Sequence, residues 1–260
     1  MLEVPLRLRR AIHVDNLPIV VRILKNHPNA LPTPDIPGNT SLHLAASWGR
    51  LNITKFLVER EGVAAISRRN NDGDTPLLLA AAAGHDDVVA YLAAKGGREA
   101  LDTKNRLGFT PLMAAAVAGV DGVVNTLLDY LADPELIDAL GNTTLHYASA
   151  YGHEKIMRTL VERGVTVDRQ NRQGWRPISY SCTWEAERFF EQLIQEREVR
   201  YLQAGASGVQ GERERERVRA PTPVPARSDW PIPAAAIPPV AVPATVMEVV
   251  GGRPRASSGS

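Results

Sequence analysis

The chain has 260 residues, with six histidines and one cysteine. A histidine acts as a general base or metal ligand only when other groups orient it or complete a ligand shell. His43 and His146 stand in two similar phrases, Gly38-Asn-Thr-Ser-Leu-His-Leu-Ala-Ala and Gly141-Asn-Thr-Thr-Leu-His-Tyr-Ala-Ser. A shared place in two copies points to a structural hydrogen bond between neighbouring loops rather than to catalysis. Gly84-His-Asp-Asp87 sets two carboxylates beside a histidine. At the start of a helix such acids complement the dipole, which is the first reading; metal ligation is the second. His13 and His27 are isolated. Cys182 has no second thiol, so it can neither close an intrachain disulfide nor supply a zinc-finger ligand set; it is expected as a small core residue. Nucleophile-elbow, zinc-protease and phosphate-loop motifs are missing from the sequence. No catalytic, cofactor or metal site is expected, and the chain is not read as an enzyme.

The elements that place these residues recur. Gly38, Gly73, Gly108, Gly141 and Gly174 lie 35, 35, 33 and 33 residues apart. Gly73-Asp-Thr-Pro-Leu-Leu-Leu-Ala-Ala and Gly108-Phe-Thr-Pro-Leu-Met-Ala-Ala-Ala complete the set, and Gly174-Trp-Arg-Pro-Ile-Ser-Tyr-Ser-Cys is a degenerate fifth copy. A second glycine follows 11 positions later in the first four units: Gly49, Gly84, Gly119 and Gly152. Thr40, Thr75, Thr110 and Thr143 read as helix N-caps. Pro76, Pro111 and Pro177 then stand at the first helical position, where a missing N–H costs nothing. The second glycine ends a short Leu/Ala helix, since a left-handed backbone is cheap only without Cβ. A second helix follows, with apolar residues spaced i, i+3, i+4, as in Ile156, Met157, Leu160 and Val161. The polar stretch before the next glycine reads as a hairpin loop.

These phrases and their period resemble the ankyrin repeat. The resemblance implies an all-α solenoid of stacked helix-turn-helix units joined by β-hairpin loops. It covers five repeats over about residues 36–198. A capping unit precedes them over about 4–35, with Asp15 at the glycine position. Glu185–Glu198, with Phe189, Phe190, Leu193 and Ile194 inward, is read as the C-terminal cap. His85 and His153 then occupy the family's Gly-His position and are structural. The resemblance also implies a protein partner on the concave surface of loop tips and first helices. At the exposed positions of that surface stand Trp48, Leu107, Phe109, Leu140, Tyr151, Trp175 and Trp184. Aromatic anchors among polar groups are the usual composition of a binding hot spot, so these seven are the candidate partner-binding residues, weighted toward units three to five.

Composition agrees. Hydrophobic residues make up 44%, but only 14 are aromatic against 33 alanines, which suits closely approaching helices. Thirty Lys+Arg against 29 Asp+Glu lack the basic excess of a nucleic-acid binder. Arg7, Arg9 and Arg10 precede no apolar run, so a signal peptide is not expected. The longest apolar run, Leu77–Gly84, is far short of the ~20 residues of a membrane span. Residues 199–260 are read as a disordered Pro/Ala/Arg-rich tail, with nine prolines from Ala220 to Ser260. The expected location is cytoplasmic, with the nucleus as an alternative.

The opening residues Met1 to Pro28 and the unit Gly174-Trp-Arg-Pro-Ile178 also look like the small ankyrin accessory subunit of the fungal target-of-rapamycin complex two. That resemblance spans roughly residues 1–198 and implies a non-catalytic adaptor that meets subunits of a kinase complex, located at the plasma-membrane periphery through that complex. The alternative is an ankyrin adaptor of another pathway, such as a ubiquitin-ligase substrate receptor or a nuclear inhibitor.

Overall fold

The computed structural model describes residues 4–31 and 33–205. Among them are α1 (Val4–His13), α2 (Leu17–Asn26), α3 (Ser41–Ser47), α4 (Leu51–Glu61), α5 (Pro76–Ala83), α6 (Asp86–Asp102), α7 (Pro111–Ala118), α8 (Asp121–Asp129), α9 (Thr144–Ala150), α10 (Glu154–Glu162) and α11 (Trp184–Gly205). Helices α1, α3, α5, α7 and α9 pack in sequence as one row, ending on a 3₁₀ turn at Pro177–Tyr180. Helices α2, α4, α6, α8, α10 and α11 form a second row behind it. The chain is the all-α repeat stack its period predicts; among the described residues the connecting loops are tight turns and no strand is found.

The threonines start the first-row helices. Thr75 and Thr110 Oγ1 accept from the amides of Leu78 and Met113, each at 3.3 Å. Helices α5 and α7 end on Gly84 and Gly119 in the left-handed region. At Gly119 a Cβ would lie 2.5 Å from the His153 ring, so glycine is needed there for space as well as for its φ of +73°. The capping unit solves the same turn without glycine: Asp15 itself holds φ +55°, and Asn16 Oδ1 accepts from Ile19 N to start α2. The first two units are longer. Their extra residues fall after the second helix, in the 3₁₀ turn Val63–Ser67 and beyond a kink at Gly97 within α6.

The main core lies between the two rows. Ala45, Ala46, Ala80, Ala81, Ala115, Ala116 and Ala148 are fully buried on the first row and let Ile53, Leu57, Val88, Leu92, Val123, Leu127, Ile156 and Leu160 approach from the second. Each such aliphatic side chain contributes about 1.5–3 kcal/mol by leaving water. Phe190 and Leu193 of α11 close the C-terminal end, with Phe189 and Ile194 partly buried beside them.

The fifth unit departs from expectation. Its first helix shrinks to the 3₁₀ turn, and Cys182 lies past that turn, exposed rather than in the core. Arg176 stands at the N-cap without a side-chain capping bond, so the start of a full helix lacks the acceptor that threonine supplies elsewhere. Helix α11 runs on to Gly205, past the expected boundary at residue 198. The tail reading falls mostly on residues 206–260, which lie outside the described residues.

Candidate functional site

Each loop tip is built on one side chain three residues before the glycine. Asn70 Oδ1 accepts from the amides of Asp72 and Asp74 at 2.9 and 2.8 Å. Asn105 does the same for Leu107 and Phe109, Asp138 for Leu140 and Asn142, and Asn171 for Gln173 and Trp175. Adjacent tips are then joined by backbone bonds: Asn71 N to Pro37 O, Arg106 N to Asp72 O, Ala139 N to Leu107 O and Arg172 N to Leu140 O, all 3.0–3.1 Å. Such close approach leaves no room for side chains on the glycines; a Cβ on Gly108 would lie 2.7 Å from Ala139 N.

A side-chain ladder runs beneath. Asn70 Nδ2 donates to Asn39 Oδ1, Asn105 Nδ2 to Asp74 Oδ1, and Asn171 Nδ2 to Asn142 Oδ1, at 2.8–2.9 Å. It breaks once, between units three and four. There Phe109 has no acceptor and Asp138 no donor, and the Tyr147 hydroxyl donates to Asp138 instead. The Phe109 and Tyr147 rings pack 4.8 Å apart. Burial and the neighbouring carboxylate hold the Tyr147 phenol above its ordinary range.

The histidines work inside this frame. His43 Nδ1 accepts from Thr40 N at 3.2 Å while Nε2 faces Asp74 O at 3.0 Å; His146 repeats this with Thr143 N at 3.1 Å and Trp175 O at 3.1 Å. With Nδ1 as acceptor, both rings are neutral and carry the proton on Nε2. Burial lowers the pKa of each from 6.5 to about 4. His85 and His153 Nε2 face Ser47 O and Val117 O, bridging to earlier units. Asp86 and Asp87 stand in the first turn of α6, and no cluster of three His, Cys, Asp or Glu suited to a metal occurs among the described residues.

The seven candidate residues divide. Leu107 and Leu140 on the tips are 46% and 40% exposed, and Trp184, the first residue of α11, is 56% exposed. Trp48 is half-buried, its ring 4.9 Å from His13 and perpendicular to it, so it seals the capping unit. Tyr151 is half-buried and stacked on His153 at 6.1 Å. Trp175 is half-buried, its amide on Asn171 and its carbonyl on His146. Phe109 is 2% exposed. Its ring fills the gap in the Asn/Asp ladder against Tyr147, so it supports the surface rather than presenting an anchor. Trp175, at the same repeat position, keeps more exposure.

Two features lie beyond the seven. Ile36, at the tip of unit one, is 96% exposed. Leu78, Ala82, Phe109, Met113, Ala114 and Tyr147 form a second apolar cluster, separate from the main core. It borders a hollow of about 270 Å³ between units two and three, rimmed by Asp72, Arg106 and Leu107. The sequence signal was small side chains: Ala114 replaces Leu44 and Leu79 of the earlier units, and Ala83 and Ala118 stand between Trp48 and Tyr151 at one repeat position.

A family model described as ankyrin repeats (three copies) matches residues 63–138 and 121–202, and a single ankyrin-repeat model matches residues 37–71. Ankyrin repeats form protein–protein interaction modules and typically carry no catalysis. No helix among the described residues is long and apolar enough to cross a membrane. The stacked helix pairs, the bonded loop tips and the two family matches place this chain in the ankyrin-repeat family.

Proposed function

We propose that this protein is a non-catalytic scaffold whose loop tips and first-row helices bind a partner protein, and that it serves as an adaptor subunit of a target-of-rapamycin-type kinase complex. The observation that carries the binding surface is the pair of exposed apolar side chains on adjacent, bonded loop tips, Leu107 and Leu140, beside a hollow left open by the described residues, with exposed Trp184 at the start of α11. Apolar groups held exposed by rigid turns cost no reordering when a partner covers them. Half-buried Tyr151 and Trp175 add aromatic edges to that face; Trp48 and Phe109 hold it in shape. Support for the kinase complex comes from the opening residues through Pro28 and from Gly174-Trp-Arg-Pro-Ile178. The adaptor would act in the cytoplasm, at the membrane periphery when assembled.

Affinity purification of the full chain with quantitative mass spectrometry tests both parts. Kinase-complex subunits should co-purify, and Leu107→Ala/Leu140→Ala/Trp184→Ala should lose them. Retention of every partner by the triple variant would remove the surface reading. Enrichment of ligase components or transcription factors without a kinase would replace the adaptor assignment.

A further inference from the structure

The near-zero charge of the whole chain conceals a polarity along it. Residues 4–70 hold ten Lys+Arg against four Asp+Glu, net +6; residues 71–140 hold four against eleven, net −7; residues 141–205 hold nine against eight, net +1. The acidic third is the one that contains the hollow. Asp72 stands exposed at its rim, and among the described residues its carboxylate makes no hydrogen bond or ion pair. Asp74, 8% exposed, accepts from Asn105 Nδ2 at 2.8 Å. Burial raises the pKa of Asp74, and the neighbouring charge of Asp72 adds to the rise. Side-chain hydrogen bonds from Asn105 and Asn70 oppose that rise, so Asp72 is the rim carboxylate without a hydrogen-bond or ion-pair partner among the described residues. The Arg106 guanidinium is the one cation in the lining, and it forms no ion pair with either carboxylate. The floor is apolar: Leu78, Leu79, Ala82, Phe109 and Ala114.

We infer that this hollow seats a lysine or arginine side chain from an extended segment of the partner protein. Its aliphatic stem lies on Leu78, Ala82 and Ala114 against Leu107, and its cation stands beside Asp72. A long basic side chain is the group that covers apolar surface with its stem and keeps its charge at a rim. A carboxylate at the edge of a low-dielectric wall attracts it more strongly than one in open water, and the surrounding net −7 steers it in. The alanine bay spans two units stacked ~10 Å apart, the reach of about three extended residues. The inference rests on the first-row face being the binding surface.

The test uses the full chain and a random dodecapeptide phage library, with selected peptides titrated by fluorescence anisotropy. Selected sequences should share a Lys or Arg flanked by aliphatic residues. Asp72→Asn, an exposed change that leaves the turn intact, should weaken them about tenfold and flatten the salt dependence. Ala114→Leu, which restores the residue of units one and two and fills the hollow, should weaken them at least as much with its circular dichroism unchanged. A consensus without a basic residue, no consensus, or affinity unmoved by both variants overturns the inference. Peptides indifferent to both variants yet lost on Leu140→Ala/Trp184→Ala leave the binding surface standing; peptides indifferent to all four remove it too.

Discussion

Acid should loosen two helix starts together, because His43 and His146 are each required neutral. Nδ1 accepts the Thr40 and Thr143 amides at 3.2 and 3.1 Å, and protonation turns that acceptor into a donor facing a donor. Each folded pKa is about 4 against 6.5 in the unfolded chain. Between those values the unfolded state binds more protons, so stability falls as pH falls through the window from 6.5 to 4. At pH 5 the difference is worth about 2 kcal/mol per histidine, or about 4 kcal/mol for the pair. That is a large part of a typical folding free energy of about 5–15 kcal/mol. The raised pKa of Asp74 acts in the opposite sense and is common to both proteins in the comparison, as are the other four histidines. Urea unfolding followed by far-UV circular dichroism at pH 7.5 and pH 5 should show the wild type losing about 4 kcal/mol more than His43→Gln/His146→Gln. The double variant should be the less stable protein at pH 7.5. Parallel losses in the two proteins would refute the assignment of both rings as neutral acceptors.

Three further outcomes follow from the backbone and the ladder. Leu131 holds φ +68° while 74% exposed, at the turn where other units place Gly62, Gly97 and Gly164. Leu131→Gly should therefore stabilise the fold by about 0.5–1 kcal/mol once glycine's greater unfolded freedom is subtracted, read as a higher thermal midpoint. Gly119→Ala combines a left-handed backbone with a 2.5 Å approach to the His153 ring, and should cost at least ~1–2 kcal/mol in urea unfolding. Tyr147→Phe removes a donor to Asp138, which is 5% exposed, and should cost about 1–3 kcal/mol; a cost near zero would show that the broken rung needs no replacement.

Much of this was legible in the chain itself. Glycines at fixed intervals, threonine caps and i, i+3, i+4 apolar spacing each constrain backbone within a few residues, so they imply the helix pairs directly. Asp15 was placed at a glycine position by register alone, and its φ of +55° agrees. The inward face of the last helix was read from spacing in the same way. Burial at the candidate surface was not legible. Phe109 and Trp175 share a repeat position, yet one is 2% exposed and the other half-buried; Tyr147 rises from the next unit against the first. Trp48 is engaged by His13, 35 positions away. The acidic hollow exists because Ala114 is small next to a tip that carries Asp72, and the two belong to different repeats. Local order follows from neighbours in sequence, whose geometry the covalent chain dictates. Which side chain stays open to a partner depends on what the adjacent repeat sets against it, and only the stacking decides that.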